Sequence, residues 1–340
     1  MSSQTPLPSP DILRHVVDVH CHPTDSDVTA EGMNDLQITI CAMSSRQSDQ
    51  PLVRELALAY PTKVIPCFGY HPWFSHWISL GPCSSKKDHY RRTLSCSEEH
   101  EAIFERLLPH LPDPISLADV LAELRSNLGD FPQAMLGEVG LDRAARIPVD
   151  YFSRPLELTP FTIPLQHQLT ILEAQIDLAV ELGRNISMHS VKSPQVTSDL
   201  FDRMRKKHGA RWPQISIGLH SCGISPETWR AIEKRHVNVF MSLSTVINGR
   251  SPNHRALIAA CSPRRILVES DYHPVEGCTA RTWDILLTIA EIRGWPVEST
   301  WEDVPREEDW GAVRRLEKNW KEFCDGHHRD LPLSKVKDVK

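Results

Sequence analysis

Eight short apolar, β-branched runs alternating with helix-length amphipathic segments predict an α/β chain folded as a (β/α)8 barrel. Strand–helix alternation calls for parallel strands, and eight is the number that closes a barrel. Histidines and carboxylates stand at the C-terminal ends of these runs, where a barrel collects its chemistry.

The strand candidates are Val16–Val19, Gln37–Met43, Val64–Gly69, Ala134–Val139, Asn185–His189, Gln214–Leu219, Asn238–Leu243 and Arg265–Glu269. Between them, Leu52–Tyr60 places Val53, Leu56 and Ala57 on one helical face. Leu165–Leu182 repeats Leu169, Leu172, Ile176, Ala179 and Val180 at three- and four-residue spacing. Pro194–His208 opens on a proline suited to a first helical turn, and Pro226–Arg235, Asn253–Cys261 and Trp283–Arg293 complete the set.

One barrel domain is expected over residues 16–325, after a flexible stretch 1–15 and before a polar, lysine-rich tail 326–340. An insertion at about 77–129 carries helical patterns around Glu99–Leu108 and Ser116–Leu128. It follows the third strand directly and is expected to pack outside the barrel and shape access to its mouth. Asp142–Pro164 reads as a proline-rich loop.

The net charge of −6 argues against a protein that coats nucleic acid, though a bound metal or a local patch can supply positive charge to a nuclease. No apolar run reaches membrane-spanning length, and Met1–Pro10 lacks the pattern of a secretory leader. Nine cysteines without a CxxC pair point to mostly free thiols in a cytoplasmic or nuclear compartment.

The first strand ends in His20-Cys21-His22, whose period-two spacing turns both rings to one face. Glu138 sits in an apolar, glycine-flanked strand, where an unpaired carboxylate is costly. It serves either as a metal ligand able to bridge two cations or, more blandly, as a partner for Arg143. His189 and His220 end successive strands. Asp271 is either a helix N-cap or a ligand that takes a proton from water. Imidazoles and carboxylates converging on one rim suit divalent metal, with Zn²⁺ or Mn²⁺ better matched to histidine and Mg²⁺ to oxygen. Cys21, Cys67 and Cys222 read as small buried residues.

In order along the chain, the motifs are Asp18-Val19-His20-Cys21-His22, Gly69-Tyr70-His71-Pro72, Gly137-Glu138-Val139-Gly140-Leu141-Asp142, Met188-His189-Ser190, His220-Ser221-Cys222-Gly223 and Glu269-Ser270-Asp271, with a closing Asn319-Trp320-Lys321-Glu322-Phe323. This set resembles the TatD-like metal-dependent deoxyribonucleases, a TIM-barrel family of the amidohydrolase type, in their eukaryotic, chiefly fungal, branch. The resemblance implies one metal held by His20, His22, Glu138 and Asp271, and a second held by Glu138, His189 and His220. It implies that His71 contacts the substrate phosphate. Asp271 would act as general base, and Lys192 would help His71 stabilise negative charge. DNA or another phosphodiester is the implied substrate, and a subunit of the anaphase-promoting complex an implied protein partner. The sequence departs from the family at Tyr272-His273 and at Arg143, which bears on substrate choice. Two other functions compete: hydrolysis of an ester, lactone or amide on the same barrel, and a barrel serving mainly as a protein-interaction partner.

Overall fold

The computed structural model describes residues 6–151, 153–302 and 306–329. Each of the eight apolar runs forms a strand: β1 Val17–Cys21, β2 Thr39–Met43, β3 Val64–Phe68, β4 Met135–Asp142, β5 Ile186–Val191, β6 Ile217–His220, β7 Val239–Leu243 and β8 Ile266–Val268. They pair in parallel in chain order. The seam between β8 and β1 closes just past the strand ends. There the Asp271 N–H donates to the His20 carbonyl and the His22 N–H to the Tyr272 carbonyl, both at 2.9 Å. The buried Asp18 carboxylate stitches the same seam, accepting from the N–H groups of His20 (3.2 Å) and Ser270 (2.9 Å). Closing the barrel and building its rim therefore use the same residues.

A helix follows every strand: Ala30–Asp35, Gln50–Ala59, Leu117–Asp130, Leu165–Leu182, Pro194–His208, Pro226–Arg235, His254–Ala260 and Val275–Arg293. The last of these begins eight residues before Trp283, where the periodicity first becomes regular. Leu117–Asp130 lies inside the expected insertion 77–129 yet is a barrel helix. Its Val120, Leu124 and Leu128 are fully buried in the main core. The true insertion is shorter and has its own core: Tyr90, Leu94, Phe104 and Leu107 pack with Ile147, Phe161 and Ile163 from the loop after β4. Ile78–Ser79 and Ile115–Ser116 pair at its base. Two loops from the C-terminal ends of adjacent strands thus fold against each other beside the barrel mouth.

The opposite end is closed by the helix Ala312–Asp325. Its Trp320 and Phe323 pack with Val19, Cys41, Met43, Cys67, Met135, Phe240 and Leu267 from the strands. Asn319 Nδ2 donates to the carbonyls of Pro263 and Ile266 (2.8 Å each), and Asn185 Nδ2 to that of Phe323 (2.9 Å), so this plug is keyed to the strand starts. Ahead of β1, Pro10–Leu13 is helical with Ile12 and Leu13 buried. His327 and His328 are also tied, by backbone bonds to Gln214 and Pro213. The rest of the expected tail, from residue 330, lies outside the described residues.

Candidate active site

The metal-binding candidates come from five strand ends, and strand parity decides which side chains face inward. In β5, β6 and β8 the alternation is plain. Met188, Leu219 and Val268 join the layer between strands and helices, leaving His189, His220 and Glu269 to the interior. In β1 and β4 the pairing register slips, between Asp18 and Cys21 and between Leu136 and Val139. Val19 belongs to the barrel interior, yet Cys21 belongs to the outer layer, so the slip turns His20 and His22 inward. The same device moves Glu138 and Asp142 inward after Met135. Gly140 is required beside them, because a Cβ there would overlap the His189 carbonyl. From the following helix, the buried Gln168 and Gln175, seven residues apart, hold the backbone of Asp142 (2.8 Å) and Tyr70 (2.9 Å).

Glu138 is the centre. Its Oε1 lies 2.6 Å from His220 Nε2, 2.9 Å from His189 Nδ1 and 3.4 Å from His71 Nε2. Its Oε2 lies 3.2 Å from His22 Nε2 and 3.7 Å from His20 Nε2. Asp271 stands on the far side, with Oδ1 4.0 and 3.8 Å from His20 and His22 and Oδ2 3.9 Å from His220 Nδ1. The structure thus brings together His20, His22, His71, Glu138, His189, His220 and Asp271. The outward-facing nitrogens show which imidazoles can ligate. His20 Nδ1 meets Ser187 Oγ at 2.7 Å and His189 Nε2 meets Asp142 Oδ2 at 3.4 Å; with its proton on that outer nitrogen, each neutral ring offers a lone pair on the inward one. Inward nitrogens approach in pairs, His20 to His22 at 3.2 Å and His189 to His220 at 3.3 Å. Facing lone pairs at that range need a proton or a cation between them. This donor set fits divalent metal.

His71 differs. Its Nδ1 accepts the Trp73 N–H at 3.1 Å, so the neutral ring carries its proton on Nε2 and points a donor, not a lone pair, into the cluster.

The sequence profile of TatD related DNases matches residues 17–305. The chain belongs to the TatD related DNase family. It is accordingly a metal-dependent hydrolase. It is 28% identical over 328 residues to the fission-yeast "Cut9-interacting protein scn1", an alignment covering 85% of this chain and 96% of that protein. It is 31% identical over 277 residues to the budding-yeast "uncharacterized deoxyribonuclease YMR262W", covering 78% and 85%. Both relatives are fungal, as expected for this branch of the TatD related DNases. The crystal structure of the Escherichia coli TatD homologue YJJV shares the fold, with a TM-score of 0.56 at 16% identity over 93% of this chain and all of that one.

Burial and mutual charge set the ionisation of the site in the absence of a cation. Burial pulls His20 down to about 3 and His71 down to about 4, outweighing the pull of Glu138. Burial also works downward on His22 and His189, but their carboxylate partners win and raise each to about 9, Glu138 and Asp271 for the first and Asp142 and Glu138 for the second. Against the upward push of burial, the surrounding imidazoles hold Glu138 well below the usual carboxylate range and Asp271 below its own. Glu269, buried behind His220, is pushed up to about 7 by burial.

The bland alternatives fail at Glu138 and Asp271. Arg143 is exposed, and no ion pair among the described residues joins it to Glu138. Asp271 has a left-handed backbone (φ 48°) and precedes a helix whose N-cap is Pro274. Lys192 is also left-handed (φ 51°) and exposed beyond β5, and no hydrogen bond or ion pair among the described residues joins it to the cluster. His273 sits at the rim, 3.7 Å from Asp25 with its side chain 55% exposed, and Tyr272 stacks under the Arg281 guanidinium at 3.8 Å. Cys21, Cys67 and Cys222 are buried and free. Sequence reasoning missed Asp142 as a working residue. Its Oδ2 accepts from the Trp73 indole N–H (2.7 Å) and anchors His189. The signal was available, since Glu138 and Asp142 share a period-two face. Ser187 and Trp73 carried no such signal.

Proposed function

We propose that this chain is a deoxyribonuclease that cleaves phosphodiester bonds, with two divalent cations held by His20, His22, Asp271 and Glu138 on one side and by Glu138, His189 and His220 on the other. The observation that carries this reading is the division of donors between the two oxygens of Glu138, with His20 and His22 at Oε2 and His189 and His220 at Oε1. A carboxylate shared this way would serve a pair of cation sites. Zn²⁺ or Mn²⁺ suits so many imidazoles better than Mg²⁺.

When bound, the cations would polarise the phosphoryl oxygen and lower the pKa of the attacking water towards about 7. Asp271, ionised and partly open to solvent, accepts the proton of that water at Oδ1 or Oδ2. His71 donates its Nε2–H to a phosphate oxygen. Lys192, exposed just past β5, would meet a substrate phosphate outside the cluster. The name of the budding-yeast relative supports a DNA substrate, and that of the fission-yeast relative supports a protein partner for this chain, which we place within the anaphase-promoting complex. A cytoplasmic or nuclear site of action is supported by nine unpaired cysteines.

The test is hydrolysis of single-stranded DNA and a simple phosphodiester by chelated protein resupplied with Zn²⁺, Mn²⁺ or Mg²⁺, with His20→Ala beside it. Cation-dependent cleavage lost in the variant is expected. Wild-type protein that binds cations yet cleaves no phosphodiester would overturn the reading.

A further inference from the structure

Trp73 is a half-exposed aromatic in contact with the cluster. It leaves 45% of its surface exposed although it lies in the turn that carries His71. An indole left in water at that level forgoes burial, and its polar groups show that it is not loosely held. Its backbone N–H binds His71 Nδ1 (3.1 Å), its indole N–H binds Asp142 Oδ2 (2.7 Å), and its carbonyl accepts from the Tyr151 hydroxyl (3.0 Å). Its ring stands edge-to-face against His71, with centroids 4.9 Å apart at 87°, and nearly perpendicular to His189 at 6.5 Å. The side chain is fixed in one orientation, with its free surface beside the donor expected to meet phosphate.

We propose that Trp73 is a stacking platform for the nucleobase next to the scissile phosphate. This rests on the reading of the site as a phosphodiesterase and names what flanks the phosphate. A planar base has a π-face whatever its sequence, and a rigid indole receives it at little entropic cost. The phosphate is met by His71, and the adjoining base lies on the neighbouring ring of the same turn. Trp73 is also a positioning residue: its N–H and His189 Nε2 share Asp142 Oδ2, so the base seat and the anchor of a metal ligand meet at one oxygen. Stacking and positioning are separable, because phenylalanine keeps a ring but has no N–H.

Two single-stranded phosphorothioate oligonucleotides, one with thymine and one abasic beside the central linkage, are titrated against full-length wild type, Trp73→Leu and Trp73→Phe. Binding is read by fluorescence anisotropy, with circular dichroism as the check on folding. Wild type is expected to prefer thymine by roughly 5- to 150-fold, the range for one stacked base. Trp73→Leu should bind both alike. Trp73→Phe should keep most of the preference while its turnover of the matching phosphodiester falls. Equal binding of both oligonucleotides by wild type, or an unchanged preference in Trp73→Leu, would overturn the proposal. A wild type that shows the preference but hydrolyses no phosphodiester with any cation would overturn the cleavage reading and leave the platform standing.

Discussion

Replacing Asp271 by asparagine separates chemistry from architecture. Asp271 occupies a left-handed backbone (φ 48°), a region that asparagine enters readily and alanine does not. Its N–H bond to the His20 carbonyl, which helps close the barrel seam, does not depend on the side chain. Asp271→Asn should therefore fold. It keeps one oxygen near His20, His22 and His220, so cation binding should survive at least in part, but the amide cannot accept a proton. The expected loss of turnover is roughly 100- to 10,000-fold, about 3–5 kcal/mol of transition-state stabilisation. The acid side of the pH–rate profile gives a second readout. The imidazoles of His20, His220 and His22, acting against burial, hold Asp271 below its ordinary value, so it remains a base until pH falls through that lowered value. Wild-type activity should decline there, and the variant should lack that limb. The assay is steady-state hydrolysis of a phosphodiester across pH, with cation content measured on the same samples by elemental analysis. A fully loaded Asp271→Asn that turns over at the wild-type rate would refute the role of Asp271 as base.

His20→Ala and His189→Ala should each lower cation occupancy while leaving the circular dichroism spectrum in place; unchanged occupancy in both would exclude these histidines as ligands. In chelated protein, stability should peak near pH 6.5. The stability contributed by His22 and His189, raised from 6.5 to about 9, is full below 6.5 and drains as pH climbs to 9, whereas His20 and His71, lowered to about 3 and 4, lose theirs as pH falls from 6.5. Denaturant unfolding across pH should show this dome, and cation loading should remove its alkaline side. Because Tyr90 is fully buried in the small core beside the mouth, Tyr90→Ala should cost about 3–5 kcal/mol locally, read as lost hydrogen-exchange protection in that core with the barrel strands still protected. For the same reason, excising residues 86–98 should destabilise this small core, and an unchanged melting curve would argue against this.

Much of the barrel is legible in the chain because strand and helix periods are local properties. Residues such as Leu169, Leu172 and Ile176 declare a buried helical face without help from distant contacts. The residues converging at the mouth are legible for a related reason: a parallel barrel sends every strand's C-terminal end to one rim, so His20, His71, Glu138, His189, His220 and Asp271 must approach one another once their strands are recognised. What the sequence cannot encode locally is parity and partnership. Plain alternation places His20 opposite Val19, and only the register slip against β2 reverses Cys21 and turns both histidines inward. Leu117–Asp130 reads as part of an insertion until Val120 and Leu124 are seen packed in the layer between strands and helices. The distinction between His71 and its neighbours depends on one backbone N–H two residues on, and that between His189 and an ordinary core histidine on a carboxylate 47 residues away. Period and residue type are written along the chain; the direction of a lone pair is fixed only when remote groups are packed within hydrogen-bonding distance.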